Sequence, residues 1–228
     1  MSRQLDKHMD EISKKLQNMH ELSCELLMKS MDAFKSLDID LASEVKERSQ
    51  EVEELGDNIE DNIFETIARR QPVARDLRKL ATYLQVSHHL YRIGRYAYKV
   101  AHIVKLTDGL EHYKELISLP HLANLAKQTI DIAMNAILTG NLSRIEELEK
   151  LESESDKETE EMFQEISEFL RKRTDITKMS MYYIIVGRYF ERAADHAFSM
   201  AERAIYIVTG EKKQLGLAYH RTDAMGPH

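Results

Sequence analysis

The stretch Tyr183-Ile184-Ile185-Val186-Gly187-Arg188-Tyr189-Phe190-Glu191-Arg192-Ala193-Ala194-Asp195-His196-Ala197-Phe198-Ser199-Met200 decides the fold. Within it Tyr183, Val186, Phe190, Ala193, Ala197 and Met200 recur at helical spacing and mark one apolar face, which continues to Ala204. The same period runs through Val52, Leu55, Ile59, Ile63 and Ile67, and through Leu148, Leu151, Met162, Ile166 and Phe169. Strand-like alternation is nearly absent, and only eight glycines and three prolines punctuate 228 residues. The pattern predicts an all-α chain of six long helices, over about 4–34, 41–68, 75–105, 120–138, 143–171 and 176–209. Pro120 is read in a first turn, Thr174 or Asp175 as a cap, and Gly140 and Gly210 as terminators. Residues 106–119 read as a linker between two three-helix units, 1–107 and 108–210. Residues 211–228 have little periodicity and are expected to be a mobile tail.

The formal charge of −7 is unevenly placed. Residues 41–70 hold nine acids and four bases, and residues 141–170 hold eleven acids and three bases. Between and after them, residues 71–107 carry seven bases against one acid, and residues 171–209 seven against four. An acidic helix followed by a basic one thus occurs twice. The halves align by eye: Leu55-Gly56-Asp57 with Glu154-Ser155-Asp156, Asp76-Leu77 with Asp175-Ile176, and Leu90 to Ala97 with Phe190 to Ala197. Two tandem three-helix bundles follow from this duplication, and a pseudo-two-fold relation between them is the common outcome.

Residues four apart on a helix stand one above the other, where like charges ordinarily repel. This chain repeats such pairs: Glu53/Asp57/Asp61, Glu152/Asp156/Glu160 and Glu191/Asp195. Hard oxygen donors at this spacing on two facing helices suit a divalent or trivalent cation, or a multinuclear cluster. With 39 acids in the chain, acidic pairs also arise by chance on solvated faces. Glu191 and Asp195 stand out because their helix is otherwise basic. In the first repeat Tyr91 and Arg95 replace them, so that site is expected to be lost or altered, with Arg92 or Arg95 facing Asp57 and Asp61. His88, His89 and His196 read as packing or surface histidines. Met19, Met28, Met31, Met179 and Met181 read as core filling, and Cys24 as an inert small hydrophobe.

Three elements resemble the PhoU family of phosphate-uptake regulators. They are Leu55-Gly56-Asp57-Asn58-Ile59-Glu60, Gln71-Pro72-Val73-Ala74-Arg75-Asp76-Leu77-Arg78, and Phe190 through Glu202. The resemblance covers about residues 1–210. It implies two three-helix bundles, a cytoplasmic location, and metal clusters held by acid-x-x-x-Asp motifs. Carried over by position, Glu152, Asp156, Glu191 and Asp195 match in the second repeat, with Glu160 a turn beyond. Asp57 and Asp61 match half of the motif in the first. The second repeat has Lys172-Arg173-Thr174-Asp175 in place of the Gln-Pro turn. The implied role is regulation between a phosphate transporter and a membrane histidine kinase, through bound iron, zinc or manganese.

Other function classes fit less well. The acidic balance disfavours a nucleic-acid binder, and runs such as Tyr182–Val186 are too short to span a bilayer. No apolar signal-peptide core follows the charged first residues. A single cysteine excludes a disulfide framework. None of the ten histidines has a glutamate three residues before it, as a ferritin-like di-metal oxidase requires. A metal-free helical adaptor, serving potassium transport for instance, is the alternative. A homodimer is compatible with long amphipathic helices.

Overall fold

A computed structural model of the chain describes residues 3–215. Six helices account for nearly all of it: α1 (Arg3–Ser36), α2 (Ile39–Arg70), α3 (Ala74–Leu106), α4 (Ser118–Thr139), α5 (Glu147–Lys172) and α6 (Thr177–Thr209). Local chemistry sets their ends. Asp38 caps α2, its carboxylate accepting from the Asp40 and Leu41 N–H groups at 2.9 Å. Gly140 and Gly210 close α4 and α6 at φ 73° and 81°, donating back to Ala136 and Tyr206. Left-handed backbone of this kind costs glycine nothing.

Two expected ends differ. Residues 143–146 form turns, and α5 begins at Glu147. Neither Thr174 nor Asp175 caps α6: Asp175 is drawn to Arg173 at 2.6 Å, and the Thr174 carbonyl accepts from the Thr177 hydroxyl. A nearby guanidinium outcompetes the N–H groups of the first turn.

Helices α1, α2 and α3 pack mutually, as do α4, α5 and α6. The two units then join through α3 against α6 and α1 against α4. One continuous apolar core runs through both, from Ile12, Leu27 and Phe34 to Tyr183, Phe190 and Ala204. The α3–α6 seam shows the pseudo-two-fold relation directly. His89 and Tyr189 are equivalent positions, and so are Tyr96 and His196. His89 meets His196, with Nδ1 to Nδ1 at 2.9 Å. The reciprocal pair, Tyr96 and Tyr189, stacks with centroids 5.8 Å apart. Tyr96 and His196, mates under the duplication, touch each other at 3.1 Å. Reciprocal contacts of this kind are the signature of an isologous interface.

The linker is pinned. His112 bonds the Tyr183 hydroxyl at 2.8 Å and the Phe34 carbonyl at 3.0 Å. Tyr113 stacks on Tyr183, and Lys114 pairs with Glu165. By contrast α5 is lightly held, burying only Leu148, Met162 and Ile166. Met19, Met31 and Met179 lie in the core as expected, but Met181 is exposed. It is two residues from Met179, and so turned about 200° away around the helix. Of the expected mobile tail, residues 216–228 lie outside the described residues. Leu215 folds back, its N–H donating to Glu202 Oε1 at 2.9 Å.

Candidate metal centre

The thin apolar stripe of α5 leaves a groove along the α5–α6 seam. It has a volume of about 350 Å³ and is lined by Glu152, Ser155 and Asp156 from α5. Glu191, Asp195, Ser199 and Glu202 line it from α6. Helical spacing alone stacks Glu152 over Asp156 and Glu191 over Asp195, and the packing of α5 on α6 brings the pairs together. Three of the carboxyls, those of Glu152, Asp156 and Asp195, resist ionisation. Burial, then Asp156 and Asp195, raises the Glu152 pKa. Burial, then Glu191, raises that of Asp156. Loss of water around the carboxyl raises that of Asp195, with Arg188 partly opposing and Glu191 adding to the rise. Arg188 binds Glu191 at 2.8 Å.

Glu160 does not line this groove; it is exposed and accepts from Gln164. Each step of four residues advances about 40° around the helix. Two steps therefore carry Glu160 about 80° from Glu152 and out of the seam. Thr159, seven residues after Glu152, returns to the same side. Its hydroxyl is buried without a hydrogen-bond partner among the described residues.

The donor set fits a hard cation: carboxylates and hydroxyls only, with like charges that a cation would relieve. The groups are gathered but not closed. Among the described residues no three of these carboxylates bring ligand atoms within 4.8 Å of one another.

The corresponding groove in the first repeat holds about 600 Å³ and has changed chemistry. Glu53, Asp57 and Glu60 line one wall, and His88, His89 and Tyr91 the other. Asp61 is outside it, for the same rotational reason as Glu160, while Glu60 comes back into register. Arg92 and Arg95 do not face Asp57 and Asp61. Their guanidinium groups sit over the rings of Tyr96 and Tyr98, at 5.9 and 4.7 Å. The cation in the groove is Arg203, delivered by α6 of the other repeat. Sequence reasoning missed it because its partners are more than a hundred positions away.

His89 and His196 are held neutral at the seam. Burial is the main cause for both. His196 then lowers His89, Arg92 lowers His196, and each pKa falls to about 4. Cys24 is buried, and burial pushes its thiol up to about 12.

A family model described as the PhoU domain matches residues 16–104 and again 119–204. The chain is similar to the phosphate-specific transport system accessory protein PhoU homolog 1 of Methanothermobacter thermautotrophicus. The two are 29% identical over 213 residues, 91% of this chain and 92% of that protein. The PhoU homolog of Clostridium acetobutylicum is 24% identical over 208 residues, covering 91% and 95%. Crystal structures of PhoU from Pseudomonas aeruginosa and of the phosphate transport system regulatory protein PhoU from Streptococcus pneumoniae share the fold. Their TM-scores are 0.84 and 0.82, at 24% and 19% identity. The first match covers 90% of this chain and 99% of that one, the second 92% and 100%. With two copies of the domain spanning both three-helix units, the chain belongs to the PhoU family.

Proposed function

We propose that this protein is a cytoplasmic, non-enzymatic regulator of phosphate transport, acting through contacts with transporter components and a membrane sensor kinase. The names of its relatives support the process. No helix among the described residues is long and apolar enough to cross a membrane, which fits a partner that docks from outside the bilayer. In the second repeat, Glu152, Asp156, Glu191 and Asp195 hold a cation. The observation that carries this is the gathering of these four carboxylates, with Glu202 beside them, in one groove, three of the four with raised pKa. Its all-oxygen set of donor atoms favours manganese or iron over zinc, which prefers nitrogen and sulfur. The cation would neutralise the seam and draw α5 onto α6. The first-repeat groove favours the metal-free reading for that half, because the cationic Arg203 lines the same groove as Glu53, Asp57 and Glu60.

Two measurements test this. Metal analysis of protein purified without chelator is compared with the Asp195→Ala variant; equal content in both removes the site. Deleting the gene in its host should change phosphate uptake or transporter expression in phosphate-replete medium, and the wild-type gene should restore it. No change on deletion overturns the regulatory reading.

A further inference from the structure

Among the described residues, the tightest convergence of metal-ligating atoms lies outside both grooves, at the α1–α4 contact between the repeats. The ligand atoms of His20, Cys24 and Asp131 all lie within 4.8 Å of one another. His20 and Cys24 are four apart on α1 and therefore stacked on one face. Asp131 comes from α4, its Oδ1 3.0 Å from His20 Nε2. In a tetrahedral zinc site, ligand distances near 2.1 Å put nitrogen and oxygen about 3.4 Å apart. The observed separation is already close to that edge.

Burial pushes the Cys24 thiol up to about 12, so the metal itself would have to displace its proton. Cys24 is 4% exposed, and its sulfur makes no hydrogen bond among the described residues. Asp131 is ionised more readily than usual. Burial raises its pKa, but the bonds from His20 and Lys127 together outweigh that and leave it lowered. The Lys127 ammonium holds Asp131 Oδ2 at 2.6 Å, and the lysine side chain is 41% exposed, so it has room to swing into water. The Asp131 side chain is 38% exposed, which leaves space for water as a fourth ligand.

We infer that His20, Cys24 and Asp131 form a zinc-class metal site joining the first repeat to the second. Imidazole, thiolate and carboxylate together select a borderline-soft divalent ion, unlike the all-oxygen donor set on α5 and α6. Binding is balanced by proton release. The Cys24 S–H bond breaks, its proton goes to solvent, and the sulfur electron pair binds the metal. His20 Nε2, which now donates its proton to Asp131 Oδ1, loses that proton to solvent while Nδ1 takes one up, and the neutral ring binds through the freed Nε2 lone pair; Asp131 binds through the same Oδ1. Lys127 gives up its hold on the carboxylate. The ion thus cross-links α1 and α4, and the protein senses it at the seam between its halves.

The test is cobalt(II) titration of the full-length chain, stripped with chelator and kept reduced. Because Cys24 is the single cysteine, any thiolate-to-cobalt charge transfer reports this site alone. Wild-type protein should develop an intense near-ultraviolet band with tetrahedral visible bands, its full intensity that of one thiolate-bound cobalt per chain. Excess zinc should bleach both. Cys24→Ser should abolish the charge-transfer band, and the double variant Glu191→Gln/Asp195→Asn should keep it. Wild-type protein showing only the weak spectrum of oxygen-bound cobalt overturns the inference. So does loss of the band in the folded double variant.

Discussion

Replacing Asp195 by asparagine separates the electrostatics of the α5–α6 groove from its proposed ligand role. Asp195 stands four residues beyond Glu191 and couples to Asp156 and Glu152 across the seam. A like-charged pair at that helical spacing costs about 0.2–0.5 kcal/mol. Arg188 and Arg192 offset part of the repulsion, and water screens an open carboxylate further. Neutralising Asp195 should therefore stabilise metal-free protein by about 0.5–1 kcal/mol, a rise of about 1–4 °C in Tm for a chain of this length. Manganese(II) at about a hundred times its dissociation constant should add about 2.7 kcal/mol to the wild type. Asp195→Asn, short of a ligand, should gain less. The order of stability then inverts: the variant melts higher in chelator and lower in manganese. Differential scanning fluorimetry under both conditions gives the four values. A lower Tm for the variant in chelator refutes the repulsion. An equal manganese shift in both proteins refutes the ligand role.

Other perturbations probe the scaffold. His89 and His196 titrate at about 4 in the fold against about 6.5 unfolded, so their contribution is complete above pH 6.5 and is lost as pH falls towards 4. The loss should be on the order of 1–3 kcal/mol for the coupled pair; if Tm falls as steeply between pH 7 and 4.5 in His89→Gln/His196→Gln, the assignment is wrong. His112→Ala removes the bonds to Tyr183 and Phe34 and should cost about 1–3 kcal/mol in urea denaturation, whereas an unchanged midpoint would show that the linker is not pinned there. Asp38→Ala should cost about 1 kcal/mol and Asp38→Asn much less, and equal losses would deny the cap.

The fold was legible because helices are local. Spacings such as Tyr183, Val186, Phe190 fixed both the element and its buried face, and Gly140 and Gly210 marked ends that the backbone then adopted. Half of the site was legible for the same reason: four-residue spacing stacks Glu152 on Asp156 and Glu191 on Asp195 whatever else the chain does. Counting acids along a helix without counting degrees admitted Glu160 and Asp61, which rotate out of their seams. Capping by Asp175 failed because Arg173, two residues away, competes for the same carboxylate. Arg203 and the His20–Cys24–Asp131 set were illegible because their partners are set by the packing of one repeat on the other. No periodicity encodes that contact.

The two grooves descend from one pattern but differ in what can neutralise them. In the first, a cation already lines the groove: Arg203, a side chain built into α6 and present whenever the protein is folded. In the second, Arg188 engages Glu191 while Glu152, Asp156 and Asp195 keep raised pKa values. Compensation there is incomplete and open to an ion from solution. The helix bearing half of these carboxylates, α5, is also the one that buries the fewest side chains. The free energy of a bound cation would act on a helix held by Leu148, Met162 and Ile166, whereas α3 and α6 are locked by the reciprocal His and Tyr contacts. Any conformational response to the cation should therefore be concentrated in α5, with the inter-repeat seam as its fixed reference.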